Sequence, residues 1–165
     1  RRRIDLAPAP FLGDIARLER ARTEDPADPG TLRLIGRRGL RDNNSWMHNL
    51  PRLMRGRTRC TLLVHPADAV ACGLEHGAEA IVTSRVGQVR VPVEVSDEMM
   101  PGVVSLPHGY GHDRDGVRLA VARQHAGASV NDLTDDREID ELCGTAAFSG
   151  TPVRVEAAAS RTPQS

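Results

Sequence analysis

From Gln88 to Val95 the chain alternates Val89, Val91, Val93 and Val95 with Gln88, Arg90, Pro92 and Glu94. A period of two sets four valines on one face of a pleated strand and polar groups on the other, a division that a helix would scramble. The run Ala80 to Ser84 precedes it across Val86-Gly87, so the two segments are read as a β-hairpin. Pro92 has no N–H to give to a ladder, which predicts a sheet edge or a bulge at that point.

Other short runs follow the same logic. Thr31 to Ile35, Cys60 to Val64, Val103 to Leu106 and Pro152 to Glu156 are apolar stretches bounded by turn residues, and Val117 to Ala122 reads as a further strand. Helical signals are fewer. Phe11, Leu12, Ile15 and Leu18 recur at near-helical spacing between Pro10 and about Arg22, giving one amphipathic helix. His65 to Ala71 carries Pro66 at its first turn, where no N–H is needed, and Asp135 to Leu142 begins with acids that suit a helix dipole. Six or seven short strands and two or three short helices make the chain mainly β, a closed barrel or a sandwich. With 39% hydrophobic residues but only 2% aromatic, its core must be built from Val, Leu, Ile and Ala.

The 165 residues suit one domain with a core of its own. Residues 1–30 read as a linker or arm with one short helix, 31–156 as the β domain and 157–165 as a disordered tail. No stretch approaches the roughly 18 apolar residues of a membrane helix, so a cytoplasmic chain with no membrane partner is expected. Cys60, Cys72 and Cys143 are odd in number and widely spaced, the pattern of buried small hydrophobes rather than of a disulfide framework or a metal site.

Net charge is zero, yet it is unevenly spread. Residues 31–60 hold eight arginines against Asp42 alone, a block of +7, which the rest of the chain balances after residue 60. Such a block argues for a localised anionic ligand, unless the acidic half folds over it. At its centre lies Gly36 to Pro51, with three arginines, three asparagines, Ser45, His48 and the single tryptophan directly after a strand. Glycines 36 and 39 permit close backbone approach, and arginines with backbone amides suit phosphate oxygens. A second glycine-rich loop, Pro107 to His112, holds His108 and the single tyrosine. His48 and His108 both follow strand ends and could face one ligand. No dinucleotide or triphosphate glycine loop and no nucleophile elbow is present, and composition alone shows no catalytic centre.

Four motifs resemble a known family in the order expected for it. They are Leu32 to Pro51 (LRLIGRRGLRDNNSWMHNLP), His65-Pro66-Ala67-Asp68-Ala69, Leu106 to Gly111 (LPHGYG) and Val130-Asn131-Asp132-Leu133-Thr134. Together they are similar to the C-terminal molybdopterin-dinucleotide-binding domain of molybdopterin oxidoreductases of the formate dehydrogenase and nitrate reductase kind. The resemblance implies a six-stranded double-psi β-barrel that closes over one side of a bis-molybdopterin guanine dinucleotide. It implies that Gly36, Arg37, Arg41, Asn44, Ser45 and His48 meet pyrophosphate and pterin, and that His108, Gly109 and Asn131 meet the pterin.

It further implies that this is the last part of a longer molybdenum or tungsten enzyme, whose remaining domains are its partners. The family's iron-sulfur cysteines and its metal ligand lie in those other domains, so this segment alone should be inactive. A stand-alone double-psi barrel acting as an interaction module is the alternative, and it would not need the two loops to converge. Single-stranded nucleic acid is a poor partner for a chain with one Trp, one Tyr and two Phe.

Overall fold

A computed structural model describes residues 4–24 and 30–159. The strands are β1 (Leu32–Arg37), β2 (Leu62–Val64), β3 (Glu79–Thr83), β4 (Gln88–Val95), β5 (Val103–Pro107) and β6 (Thr151–Ala157). They close into a barrel in the order β1-β5-β2-β4-β3-β6. β1 runs parallel to β5 and β2 parallel to β4, while the remaining pairs are antiparallel. Two interlocked parallel crossovers in a six-stranded barrel are the double-psi arrangement expected above. The helices are short: α1 (Ala9–Glu24), α2 (Pro51–Met54), α3 (Pro66–Ala71) and α4 (Ala120–Gln124), with a 3-10 turn at Val130–Asp132.

The valine alternation does what its period dictates. Val89, Val91 and Val93 point into the barrel beside Leu34, Leu62, Val64, Val82, Val104, Leu106 and Val153, and Val95 is half-buried against them. Each such side chain, fully buried, stabilises the fold by about 1.5 to 3 kcal/mol, and the interior is mainly aliphatic, with Tyr110 packed into it. Pro92 is not at an edge, since β4 has partners on both sides, but a bulge stands beside it: the Gly77 N–H donates to the Val93 carbonyl and the Val93 N–H to the Ala78 carbonyl, so two residues oppose one, with Gly77 at φ 82°. The Val93 N–H donates to the Ala78 carbonyl on the β3 side, so the Pro92 nitrogen turns the other way, where pairing with β2 begins only at Leu62↔Val93.

Two expected elements are replaced by others. The segment 117–122, expected as a strand, is irregular up to Leu119 and then enters α4, where Asn49 Oδ1 accepts from the Val121 and Ala122 N–H groups and so caps the turn. Asp135 to Leu142 forms no helix. Asp135 is drawn off by Arg85 and by the Arg137 N–H, and Asp140 Oδ1 accepts from the Leu142 and Cys143 N–H groups. Aspartate side chains that take up their own neighbouring amides compete with helix, and an isolated bridge, Ile139↔Ala146, stands there instead. α1 forms as expected, but Phe11, Leu12, Ile15 and Leu18 all face solvent. Of the expected linker or arm, residues 1–3 and 25–29 lie outside the described residues, as do 160–165 of the expected tail, whose first residue belongs to β6.

The registers fix the ends of the barrel. The last residues of β1, β5 and β3 and the first of β2, β4 and β6 share one end. The connections 38–61, 84–87 and 108–150 therefore all open onto that rim. The connections carrying α3 and residues 96–102 close the opposite end, where β6 finishes beside the start of β3.

Candidate functional site

The rim is built by two loops that follow the parallel neighbours β1 and β5, paired as Gly36↔Leu106 and Arg37↔Pro107. The His108 N–H donates to the Arg37 carbonyl at 3.0 Å, which carries the pairing one residue beyond the strand. Glycine is required at Gly109 and, at Gly36, makes room for a side chain. A Cβ on Gly36 would land on the His108 imidazole, and one on Gly109 would meet the Asn44 carbonyl and lie 2.8 Å from the Ser45 nitrogen. Gly109 also sits at φ 92°, a left-handed conformation that a side chain would strain. The structure thus brings Gly36, Asn44, Ser45, His108 and Gly109 into one place.

Beneath them lies a buried polar cluster joining the two loops. Asp42 is 3% exposed and His48 0%. Arg59 Nη2 donates to Asp42 Oδ1 at 2.7 Å, and His48 Nε2 sits 3.3 Å from the same oxygen. His48 Nδ1 and His112 Nε2 are 2.8 Å apart. With the carboxylate favouring the proton on Nε2 of His48, its Nδ1 is the acceptor and His112 Nε2 the donor. The Tyr110 ring lies 4.3 Å from that of His48, centroid to centroid. Burial lowers the pKa of His48, with Asp42 opposing it, and burial lowers that of His112. Burial pushes the Tyr110 hydroxyl up to about 12, assisted by Asp42. Both imidazoles are therefore neutral at pH 7 and serve to fasten the loops.

Two of the residues expected to meet cofactor consequently point inward. His48 belongs to this cluster. Arg37 donates from Nη1 to the Ser105 carbonyl at 2.5 Å and from Nη2 to the Thr61 carbonyl at 2.7 Å and its Oγ1 at 2.9 Å, a brace across β1, β5 and the segment before β2. Burial lowers its pKa. On the outer side of the loop, Arg38 donates to Asn44 Oδ1, while Arg41 is exposed and has no hydrogen bond or ion pair among the described residues. His108 is half-buried with its ring edge-on to Phe148 and makes no side-chain hydrogen bond among the described residues; burial and then Arg38 lower its pKa. Asn131, in the 3-10 turn, is exposed on the same end of the barrel, and no bond or ring contact joins it to the two loops.

Of the ion pairs that Glu94, Asp132, Asp135 and Glu141 of the acidic half make among the described residues, one reaches the basic block and the others fall outside it. Glu94 reaches Arg57 of that block at 3.3 Å, whereas Asp135 binds Arg85 and Asp132 binds Arg114, both outside it. Asp42, Arg38, Arg59, Tyr110 and His112 are the members that spacing missed. His48 and His112 lie 64 residues apart, so only the closure of β1 on β5 brings them together.

Two loops joined at the loop-bearing end of a closed double-psi barrel, with Arg38 and Arg41 exposed there and paired with no acid among the described residues, make a domain whose rim suits an anionic ligand. The chain belongs to the family described as Molydopterin dinucleotide binding domain, whose model matches residues 32–152. It is 29% identical over 124 residues to a tetrathionate reductase subunit of Salmonella typhimurium, covering 65% of this chain and 12% of that protein. It is 31% identical over 134 residues to the molybdopterin-containing subunit of the arsenate respiratory reductase of Chrysiogenes arsenatis, covering 75% of this chain and 15% of that one. The chain thus spans well under a fifth of these relatives. Acetylene hydratase from Pelobacter acetylenicus has a similar fold, with a TM-score of 0.54 at 20% identity over 88% of this chain and 20% of that one.

The residues fit such a cofactor. Gly36 and Gly109 let the two loops close on each other, and beside that junction Arg41 and the His108 ring offer donors that no protein group occupies among the described residues. No group of three or more His, Cys, Asp or Glu is placed to hold a metal among the described residues.

Proposed function

We propose that this domain binds bis-molybdopterin guanine dinucleotide as the C-terminal domain of a larger molybdenum or tungsten oxidoreductase. The observation that carries it is the junction of the two loops, where Gly109 packs on the Asn44–Ser45 peptide and His108 covers Gly36. An interaction module would have no need of that convergence. Arg41 and the amides around Gly36 and Ser45 take pyrophosphate oxygens, His108 and Asn131 hold the pterin, and Arg37 and His48 keep the cradle in shape from below. When bound, the cofactor's metal supplies the redox chemistry; the chain binds it and sets its orientation. For the whole enzyme, the relatives support a reductase acting on a substrate such as tetrathionate or arsenate ahead of the formate dehydrogenase or nitrate reductase kind.

Amide resonances test the nucleotide assignment. GDP should shift Gly36 to Ser45 more than equimolar ADP does. Equal shifts would remove the guanine preference, and no shift with either would remove the site.

A further inference from the structure

The outer surface of the first loop carries an aromatic ring that the cradle does not use. Trp46 is 80% exposed, and Leu40, earlier in the same loop, is fully exposed. A tryptophan carries roughly 150 to 250 Å² of mostly apolar surface, so leaving it in water forgoes a large stabilisation. The backbone under it is fixed. The Trp46 N–H donates to the Asn43 carbonyl at 3.3 Å and the Met47 N–H to the Asp42 carbonyl at 3.2 Å. On either side, Asp42 is held by Arg59 at 2.7 Å and His48 by His112 at 2.8 Å. A ring presented from so rigid a base can stack without ordering the loop that bears it.

The other exposed residues of its loop decide what could cover it. Arg41 has no partner among the described residues, and Arg38 is held only by the neutral Asn44 side chain. An apolar protein surface laid over Trp46 would strip water from these cations without compensation. A flat heterocycle that carries its own phosphates would stack on the indole while neutralising the arginines. We infer that Trp46 is the stacking platform for the bicyclic ring of the dinucleotide, a role that rests on the cofactor reading above.

Because Trp46 is the single tryptophan of the chain, its emission reports on that contact alone. The 165-residue chain would be titrated with GDP and, separately, with inorganic pyrophosphate, recording tryptophan emission and loop amide shifts together. GDP should quench the emission, whereas pyrophosphate should shift Gly36 to Ser45 and leave the emission unchanged. Trp46→Leu should weaken GDP binding about tenfold by calorimetry, the value of one stacked base, with pyrophosphate affinity and melting temperature unchanged. GDP that shifts the amides without quenching, or binds Trp46→Leu as tightly as the parent, would overturn the platform and leave the cofactor reading standing. If neither ligand perturbs the loop, both fall together.

Discussion

The Gly36 to Pro51 loop has an inner side and an outer side made from alternating residues of one sequence. Inside, Asp42 and His48 are almost fully buried and engaged by Arg59, His112 and the Tyr110 ring. Outside, Leu40, Arg41 and Trp46 are exposed, and Arg41 is unpartnered among the described residues. The polar atoms one expects at a ligand are spent on rigidity, and the apolar ring one expects in a core stands in solvent. Such an inversion marks a loop shaped to hold a conformation rather than to be stable by itself, with binding energy conserved because little ordering is left to be done on contact.

Perturbing the inner side should do the most damage. Gly109→Val forces a β-branched side chain into a left-handed conformation and onto the Asn44 carbonyl. It should lower unfolding stability by about 3 kcal/mol in urea titration; a loss below about 0.5 kcal/mol, the scale of an ordinary surface change, would mean that the loops do not touch.

A smaller effect should come from pH. Burial holds the folded-state pKa of His48 and of His112 below that of the unfolded chain. The unfolded chain therefore binds more protons as pH drops. The stabilisation from neutral imidazoles is fully present above the unfolded histidine value of about 6.5 and is lost as pH falls below it. Asp42, Arg59, Tyr110 and Asp113 also face this pair, and Asp42 opposes the shift. Melting temperature measured from pH 7.5 down to 5 should fall in the parent and fall less steeply in His112→Gln; identical slopes would show that the pair does not titrate with folding.

On the outer side Arg41→Ala should change stability by less than about 0.5 kcal/mol, yet weaken pyrophosphate binding. An unchanged affinity would move the anion site away from this loop.

The barrel was readable where local periodicity and global packing agree. The valines of β4 and the hairpin with β3 could be placed from a period of two, and Gly109 from its setting in a polar loop, whereas Gly36 and Arg37, read as the start of a loop, continue β1 because they pair with Leu106 and Pro107. What could not be read depended on side chains reaching across the fold. Asn49 turned a valine-containing run into α4, and two aspartates consumed the amides that a helix at 135–142 would have needed. The partnership of His48 with His112 and the inward turn of Arg37 arise only after β1 and β5 pair, so no spacing rule anticipates them. The same holds for Asn131, whose motif is in order along the chain but not in contact with the cradle.

β1 and β5 leave the barrel side by side, and the loops that follow them are pinned together where Gly109 meets the Asn44–Ser45 peptide. The two loops therefore act as one clasp rather than as two flaps: a change of shape in either is transmitted to the other, so they can vary only as a pair.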